Sequence, residues 1–339
     1  MSAVPDTLIE KINSAFRACG VVPQSIGVAV SGGSDSAMLA VAAAEHARSS
    51  GLDLHLFHIH HGLQQSADEW AHRVHDLAHQ LAVPCHSRRV LIDSQTGKGI
   101  EAAAREARYT ALCDLAKKVG VRVILLGHHQ HDQAETVLLR LLRGAGPEGL
   151  AAMANRTERE GIVYLRPWLT VDRTDILRVA QQYAVQTGWQ FVTDPTNTDD
   201  RYARAAVRTR LEPVLDQRWP GWRDRLVRHA AQAAQTCEVL EEVAHADLQR
   251  LDFHEDNRSF SLRMWRELSA ARQALVLRFW LDLHGLPMPT QSRLDDLMRQ
   301  LRQVHALGFD RALSVRHAGS IIVCARGRVS VIDRSDATL

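Results

Sequence analysis

Lysine is scarce in this 339-residue chain and stands only at positions 11, 98, 117 and 118. The five cysteines, Cys19, Cys85, Cys113, Cys237 and Cys324, are odd in number and far apart, and none forms a C-x-x-C pair. That argues against a disulfide framework, a zinc ribbon or an iron–sulfur site, and for a reducing cytosolic setting. No run of about eighteen apolar residues occurs, so no membrane span is expected. The first twenty residues carry Asp6 and Glu10 and read as an amphipathic helix, without the basic start and apolar stretch of a signal peptide. Internal repeats and low-complexity tracts are also missing. Net charge is only +2, so global charge does not announce a nucleic-acid partner.

The distribution of charge says more. Between Arg201 and Arg228 eight arginines face Glu212, Asp216 and Asp224, a local net of +5. Guanidinium groups suit bidentate contacts to phosphate.

The first half alternates strand and helix patterns. Apolar or alternating runs at Ile26–Val30, Leu52–His60 and Val121–Leu126 read as strands, and His86–Leu91 reads as a further strand between them. Helical patterns intervene at Ser36–Arg48, Ser66–Leu81, which opens with a Ser66/Glu69 capping box, and Ile100–Val119. Asp132–Arg143 reads as a helix with Val137, Leu138, Leu141 and Leu142 on its buried side. This alternation implies an α/β fold with a doubly wound, mostly parallel sheet, whose ligands sit at the carboxyl ends of the strands. After Gly144 come a short segment at Ile162–Trp168 and a helix near Asp172–Ala184 with Asp172 as N-cap. A polar loop, the arginine-rich helix and a break at Trp219-Pro220-Gly221 follow. The expected organisation is a catalytic domain over 1–218, a helical linker over 219–252 and a small α+β domain over 253–339.

Ser31-Gly32-Gly33-Ser34-Asp35-Ser36 lies directly between the first strand and its helix. Adjacent glycines let backbone approach an anion, successive N–H groups form a nest, and the helix N-terminus adds partial positive charge. The serine hydroxyls add donors, and Asp35 can hold a divalent cation that neutralises phosphate oxygens. The Lys-[Ser/Thr] ending of a Walker loop and the G-x-G-x-x-G of a dinucleotide fold are both missing.

A strand followed by SGGSDS resembles the PP-loop of the N-type ATP pyrophosphatases, which cleave ATP between its α and β phosphates and leave AMP on an acceptor. Further blocks resemble the lysidine synthase branch of that superfamily. Ile59-His60-His61-Gly62-Leu63 is similar to its H-x-N-H-G-L-R stretch, with Gln64 where an Arg is usual. The run Glu101 to Tyr109 resembles E-x-x-A-R-x-x-R-Y, and Gly127 to Thr136 resembles G-H-H-x-x-D-x-x-E-T, with His131 where many members carry an acid. Arg143 to Leu150 is close to R-G-x-G-x-x-G-L. Arg166-Pro167-Trp168, Asp194-Pro195-Thr196-Asn197 and Tyr202 to Arg208 complete the match, with Ala205 where the family has Asn. The extra C-terminal domain of longer members is not expected.

The resemblance implies an enzyme that joins free L-lysine to cytidine-34 of a tRNA(Ile) with a CAU anticodon, using ATP and Mg²⁺ through an adenylated tRNA. It implies that Ser31, Gly32, Gly33, Ser34, Asp35, Ser36, His60 and Arg105 bind ATP. Asp35, Arg105, His128, Asp132 and Arg208 are the implied catalytic set, Asp35 and Asp132 the magnesium ligands, and Glu135 the lysine site. Arg108, Arg201, Arg204 and Arg208 are the implied tRNA contacts. A homodimer is allowed, and a membrane partner is not expected. Two alternatives are a tRNA cytidine thiolase, which would consume a sulfur donor in place of lysine, and a catalytically silent tRNA-binding protein of the same fold.

Overall fold

The structure, a computed structural model, describes residues 4–20, 22–60, 67–90, 100–192, 199–304 and 312–333. The chain divides into two compact units, Met1–Ala233 and Ala234–Leu339.

The first unit opens with helix α1 (Asp6–Cys19), followed by β1 (Ser25–Ala29), α2 (Ser34–Ser50), β2 (Asp53–His60), α3 (Ala67–Leu81) and β3 (Cys85–Arg89). Then come α4 (Ile100–Lys118), β4 (Val123–Leu126), α5 (Gln130–Leu142), the short α6 (Pro147–Leu150), β5 (Arg156–Arg159), β6 (Ile162–Leu165) and α7 (Arg173–Thr187). The arginine-rich segment is helical in three pieces: α8 (Ala203–Ala206), a π-helical turn at Val207–Leu211, and α9 (Glu212–Arg218). Helix α10 (Trp222–Arg250) carries residues of both units.

Six strands form one sheet in the order β3-β2-β1-β4-β6-β5. All pairings are parallel except the outermost, β5 with β6. Side chains alternate between two cores, as expected for a parallel sheet covered on both faces. Val28, Leu54, Leu56, Val123 and Leu125 pack with α1, α2, α3 and α7, while Phe57, Ile59, Ile124, Leu126 and Tyr164 pack with Tyr109, Leu112 and Ala116 of α4. The chain runs outward from β1 through β2 to β3, then returns to place β4 on the other side of β1. The carboxyl ends of β1 and β4 therefore flank the point where strand order reverses, the position at which such sheets bind ligands.

Strand ends agree with the sequence reading to within about two residues, and Asp172 caps α7 by accepting from the Thr174 N–H at 2.7 Å. The Ser66 half of the expected capping box and the Asp194–Asn197 block lie outside the described residues. One expectation is corrected: Leu141 and Leu142 are 53% and 72% exposed. The buried face of α5 is polar instead, built from Gln130, Asp132, Gln133, Glu135 and Thr136 beside Ala134 and Val137.

The second unit holds a four-stranded antiparallel sheet, β7 (Ser259–Ser261), β10 (Arg328–Asp333), β9 (Ser320–Ala325) and β8 (Leu313–His317), in that spatial order. Helices α11 (Leu262–Glu267), α12 (Ala270–Leu283) and α13 (Gln291–Gln303) supply Trp265, Trp280, Leu294 and Leu301 to its core with Phe260 and Val329.

Candidate active site

The loop between β1 and α2 is shaped by its own hydroxyls. Ser36 Oγ accepts from the Ser31 N–H at 3.0 Å and donates to the Gly33 carbonyl at 3.2 Å, closing the bend on itself. Gly32 takes φ +94°, a left-handed conformation that favours glycine, while its carbonyl accepts from the Val192 N–H at 2.9 Å. At the neighbouring strand end, a Cβ on Gly127 would stand 3.0 Å from Ser36 Cα and 3.1 Å from Ser36 N. Glycine at 127 is what allows the loop after β4 to approach the start of α2.

That approach brings Asp35 to the G-H-H segment. His129 caps α5: its Nδ1 accepts from the Asp132 N–H at 3.3 Å, and its own N–H donates to Asp132 Oδ2 at 3.2 Å. The other ring nitrogen, Nε2, faces Asp132 Oδ2 at 3.4 Å and Asp35 Oδ2 at 3.6 Å, and Arg173 Nε reaches the same Asp35 oxygen at 3.7 Å. Burial, the largest single influence on each, raises the carboxyls and lowers the imidazole. The mutual attraction outweighs it, so Asp35 and Asp132 sit below the usual carboxylate range and His129 above the usual imidazole value.

Asp132 leads on to Glu135 and the arginine helix. Spaced three apart on α5, both carboxylates face α8 and the π-helical turn. Arg208 Nε donates to Glu135 Oε1 at 2.6 Å and its Nη2 to Oε2 at 2.9 Å, with Asp132 Oδ1 at 3.4 Å. Arg204 adds Nε to Glu135 Oε2 at 3.4 Å and Nη2 to Thr136 Oγ1 at 3.1 Å. Burial is the main reason the Glu135 carboxyl is raised, against the opposing pull of Arg208. A π-turn is often retained where a side chain must be re-aimed at a site, and this one carries Arg208.

On the α4 side, guanidinium groups gather around the Tyr109 ring. Arg105, Arg108 and Arg159 lie 5.3, 5.7 and 4.4 Å from its centroid. Arg166 is 4% exposed and donates to Tyr109 Oη at 3.2 Å and to the Ala154 carbonyl at 2.8 Å. Among the described residues, Arg105, Arg108 and Arg166 form no ion pair with a carboxylate, and together they concentrate positive charge beside Tyr109. Burial first, then Arg166, Arg108 and Arg105, drive the His128 imidazole down to about 3, against the opposing pull of Asp132. His128 is therefore neutral at physiological pH, with Nδ1 buried and unpartnered.

The structure thus joins Asp35, Asp132, Glu135, Arg204 and Arg208 in one continuous network. Arg201 stays outside it, 85% exposed and paired to Asp199 at 2.6 Å. His60 is held by Asp68 at 2.9 Å, which also takes Arg89 at 2.8 Å. His131 pairs with Asp172 at 3.4 Å, and Ala205 is buried. The G-H-H, A-R-x-x-R-Y and R-P-W motifs contain His129, Tyr109 and Arg166 without giving them a role, and Arg173 lies in no motif. Only the fold shows that His129 stands between the two aspartates.

Comparison with known proteins matches a PP-loop domain to residues 5–215 and a TilS substrate binding domain to residues 260–330. A tRNA(Ile)-lysidine synthase of Bordetella bronchiseptica is 57% identical over 329 residues, 97% of this chain and 95% of that protein. One from Ralstonia nicotianae is 42% identical over 93% of this chain and 66% of that protein. Among solved structures, the U34-tRNA thiolase of Methanococcus maripaludis shares the fold at a TM-score of 0.56 and 13% identity, covering 67% of this chain and 78% of that one. With the Ser31–Ser36 bend at the strand-order reversal and this similarity running nearly end to end, the chain belongs to the tRNA(Ile)-lysidine synthase family.

Proposed function

We propose that the protein ligates free L-lysine to carbon 2 of cytidine-34 in the CAU anticodon of tRNA(Ile), with ATP converted to AMP and pyrophosphate. In the first step the cytidine O2 attacks the α-phosphorus of ATP, and pyrophosphate departs. In the second the lysine ε-amine attacks carbon 2, and AMP leaves with the former O2. A proton lost from the amine goes to solvent or a nearby base.

The observation that carries this reading is the unbroken line from Asp35 through His129, Asp132 and Arg208 to Glu135. It leads from a loop suited to pyrophosphate to a buried carboxylate suited to an ammonium group. The Ser31–Ser36 bend holds the leaving diphosphate through backbone N–H groups and hydroxyls. Asp35 and Asp132 converge on one imidazole nitrogen from 3.6 and 3.4 Å, which suits Mg²⁺ held by one or two carboxylates plus nucleotide phosphate. Among the described residues no three His, Cys, Asp or Glu side chains form an all-protein cage, as that mode of binding requires none. When bound, the ion would neutralise charge on the triphosphate.

Arg105, Arg108 and Arg166 supply positive charge for the α-phosphate and the tRNA backbone. Arg208 and Arg204 steady the adenylate side, with Arg201 among the outer tRNA contacts. Glu135 receives the lysine ammonium by exchanging part of its hold on Arg208. Neutral His128 donates or accepts a hydrogen bond rather than a charge. We assign these roles to the 1–218 domain, and tRNA grip to the 219–252 helix and the 253–339 domain. Free thiols at all five cysteines and the tRNA substrate support a cytosolic location, and among the described residues no helix is long and apolar enough to cross a membrane.

The test is the order of product release. Adding tRNA(Ile) and ATP without lysine should release pyrophosphate and leave AMP on the tRNA, and lysine should then free the AMP. Pyrophosphate release that needs no tRNA, or AMP freed by a sulfur donor and not by lysine, would overturn the proposal.

A further inference from the structure

Arg223 takes no part in the steps above, yet it is anchored on several sides. Its Nη2 donates to Glu212 Oε2 at 2.6 Å, and its Nη1 to Asp216 Oδ1 at 2.5 Å. The guanidinium lies over the Trp222 ring, 4.5 Å from the centroid, and Trp222 Nε1 donates to Asp216 Oδ1 at 2.8 Å. One residue on, Asp224 Oδ1 accepts from Gln130 Nε2 at 2.6 Å, which ties the first turn of α10 to the first turn of α5.

The partner of interest is Glu212. It opens α9 immediately after the π-helical turn, is 8% exposed, and has Oε1 buried and unpartnered. It lies four residues beyond Arg208, and its charge acts on the Arg208 guanidinium together with those of Glu135 and Asp132. Among the described residues, the charges of three carboxylates thus act on Arg208. A buried carboxylate deprived of its cation is costly, so it recruits the nearest one that can turn to it. We infer that Arg223 is a positioning residue: by holding the Glu212 carboxylate it leaves Arg208 directed at Glu135 and Asp132. The effect on turnover rests on the lysidine-forming reading, whereas the effect on Arg208 geometry does not.

The test compares the full chain with Arg223→Gln, Glu212→Gln and the double variant, using ATP, lysine and tRNA(Ile). Arg223→Gln is expected to lower kcat about 100-fold with KM for ATP nearly unchanged, since small misplacements of a reacting group have effects of that size. Removing the competing charge in the double variant should restore at least about tenfold of that loss. A purely structural arginine would give a double variant no faster than Arg223→Gln, and that result overturns the inference. Should Arg223→Gln not fold, Arg223→Lys replaces it, and a kcat more than about 100-fold below the parent despite the retained charge overturns the inference. A crystal structure of the folded single variant is independent of activity. Arg208 turned toward Glu212 supports the inference, and Arg208 still bidentate on Glu135 overturns it. A parent chain that makes no lysidine defeats the functional reading while leaving this structural outcome intact.

Discussion

Arg208 and Glu135 form a two-pronged ion pair, Nε to Oε1 at 2.6 Å and Nη2 to Oε2 at 2.9 Å, with the carboxylate only 2% exposed. Removing one member of a buried pair costs about 3–5 kcal/mol, because the other charge stays buried. Arg208 keeps Asp132 within 3.4 Å, so Glu135→Gln should lie near the lower end, about 3 kcal/mol, read from urea unfolding. The same change should raise KM for lysine more than it lowers kcat. An unchanged urea midpoint together with an unchanged lysine KM would speak against both roles.

Gly127 offers a test of the loop's packing. A methyl group there meets backbone atoms of Ser36 at 3.0 and 3.1 Å, and backbone cannot swing aside as a side-chain tip can. Gly127→Ala should cost about 1–3 kcal/mol through overpacking and weaken ATP binding by shifting the Ser31–Ser36 bend. Calorimetric titration with ATP checks this, and parental affinity would show that the two strand ends have room to spare.

Asp35→Ala should reduce tRNA-dependent pyrophosphate release by at least about 100-fold, the scale of losing one group that stabilises developing charge. Filter binding of tRNA should change little. Normal turnover in this variant would remove Asp35 from the proposed metal site.

Acid should destabilise the protein. Seven histidines, at 46, 55, 58, 86, 128, 131 and 284, are held below the ordinary imidazole value, burial being the main cause in each. The unfolded chain therefore binds more protons than the folded one as pH drops below about 6.5, and stability falls through that window. His129, which is raised, runs the other way: its stabilisation is full below about 6.5 and is lost as pH rises through its folded value. The seven outnumber the one. Urea midpoints should decline steadily from about pH 7.5 to about pH 5, and less steeply in His128→Asn, which removes the group pushed to about 3. A flat or rising profile would contradict the burial assigned to these rings.

The sheet was legible because parallel strands buried on both faces read as apolar runs, and Ile26–Val30 and Val121–Leu126 could hardly be anything else. Strand β5 was not read: Arg156–Arg159 is polar and largely exposed, and only its antiparallel pairing with Ile162–Leu165 makes it a strand. Leu141 and Leu142 misled because α5 spends its buried face on Asp132, Glu135 and their partners, leaving leucines outside. The motifs named Asp132, Glu135, Arg204 and Arg208, which the fold does bring together. The place of His129 between Asp35 and Asp132 depends on two loops from adjacent strands, ninety-odd residues apart in sequence, and no local pattern encodes that distance.

The most direct measurement is mass spectrometry of nucleosides from tRNA(Ile) incubated with the protein, ATP and isotope-labelled lysine. The account predicts a cytidine derivative that has gained one labelled lysine with loss of water, formed only when ATP is present. Unmodified cytidine-34, or a sulfur-containing base formed without label, would contradict it.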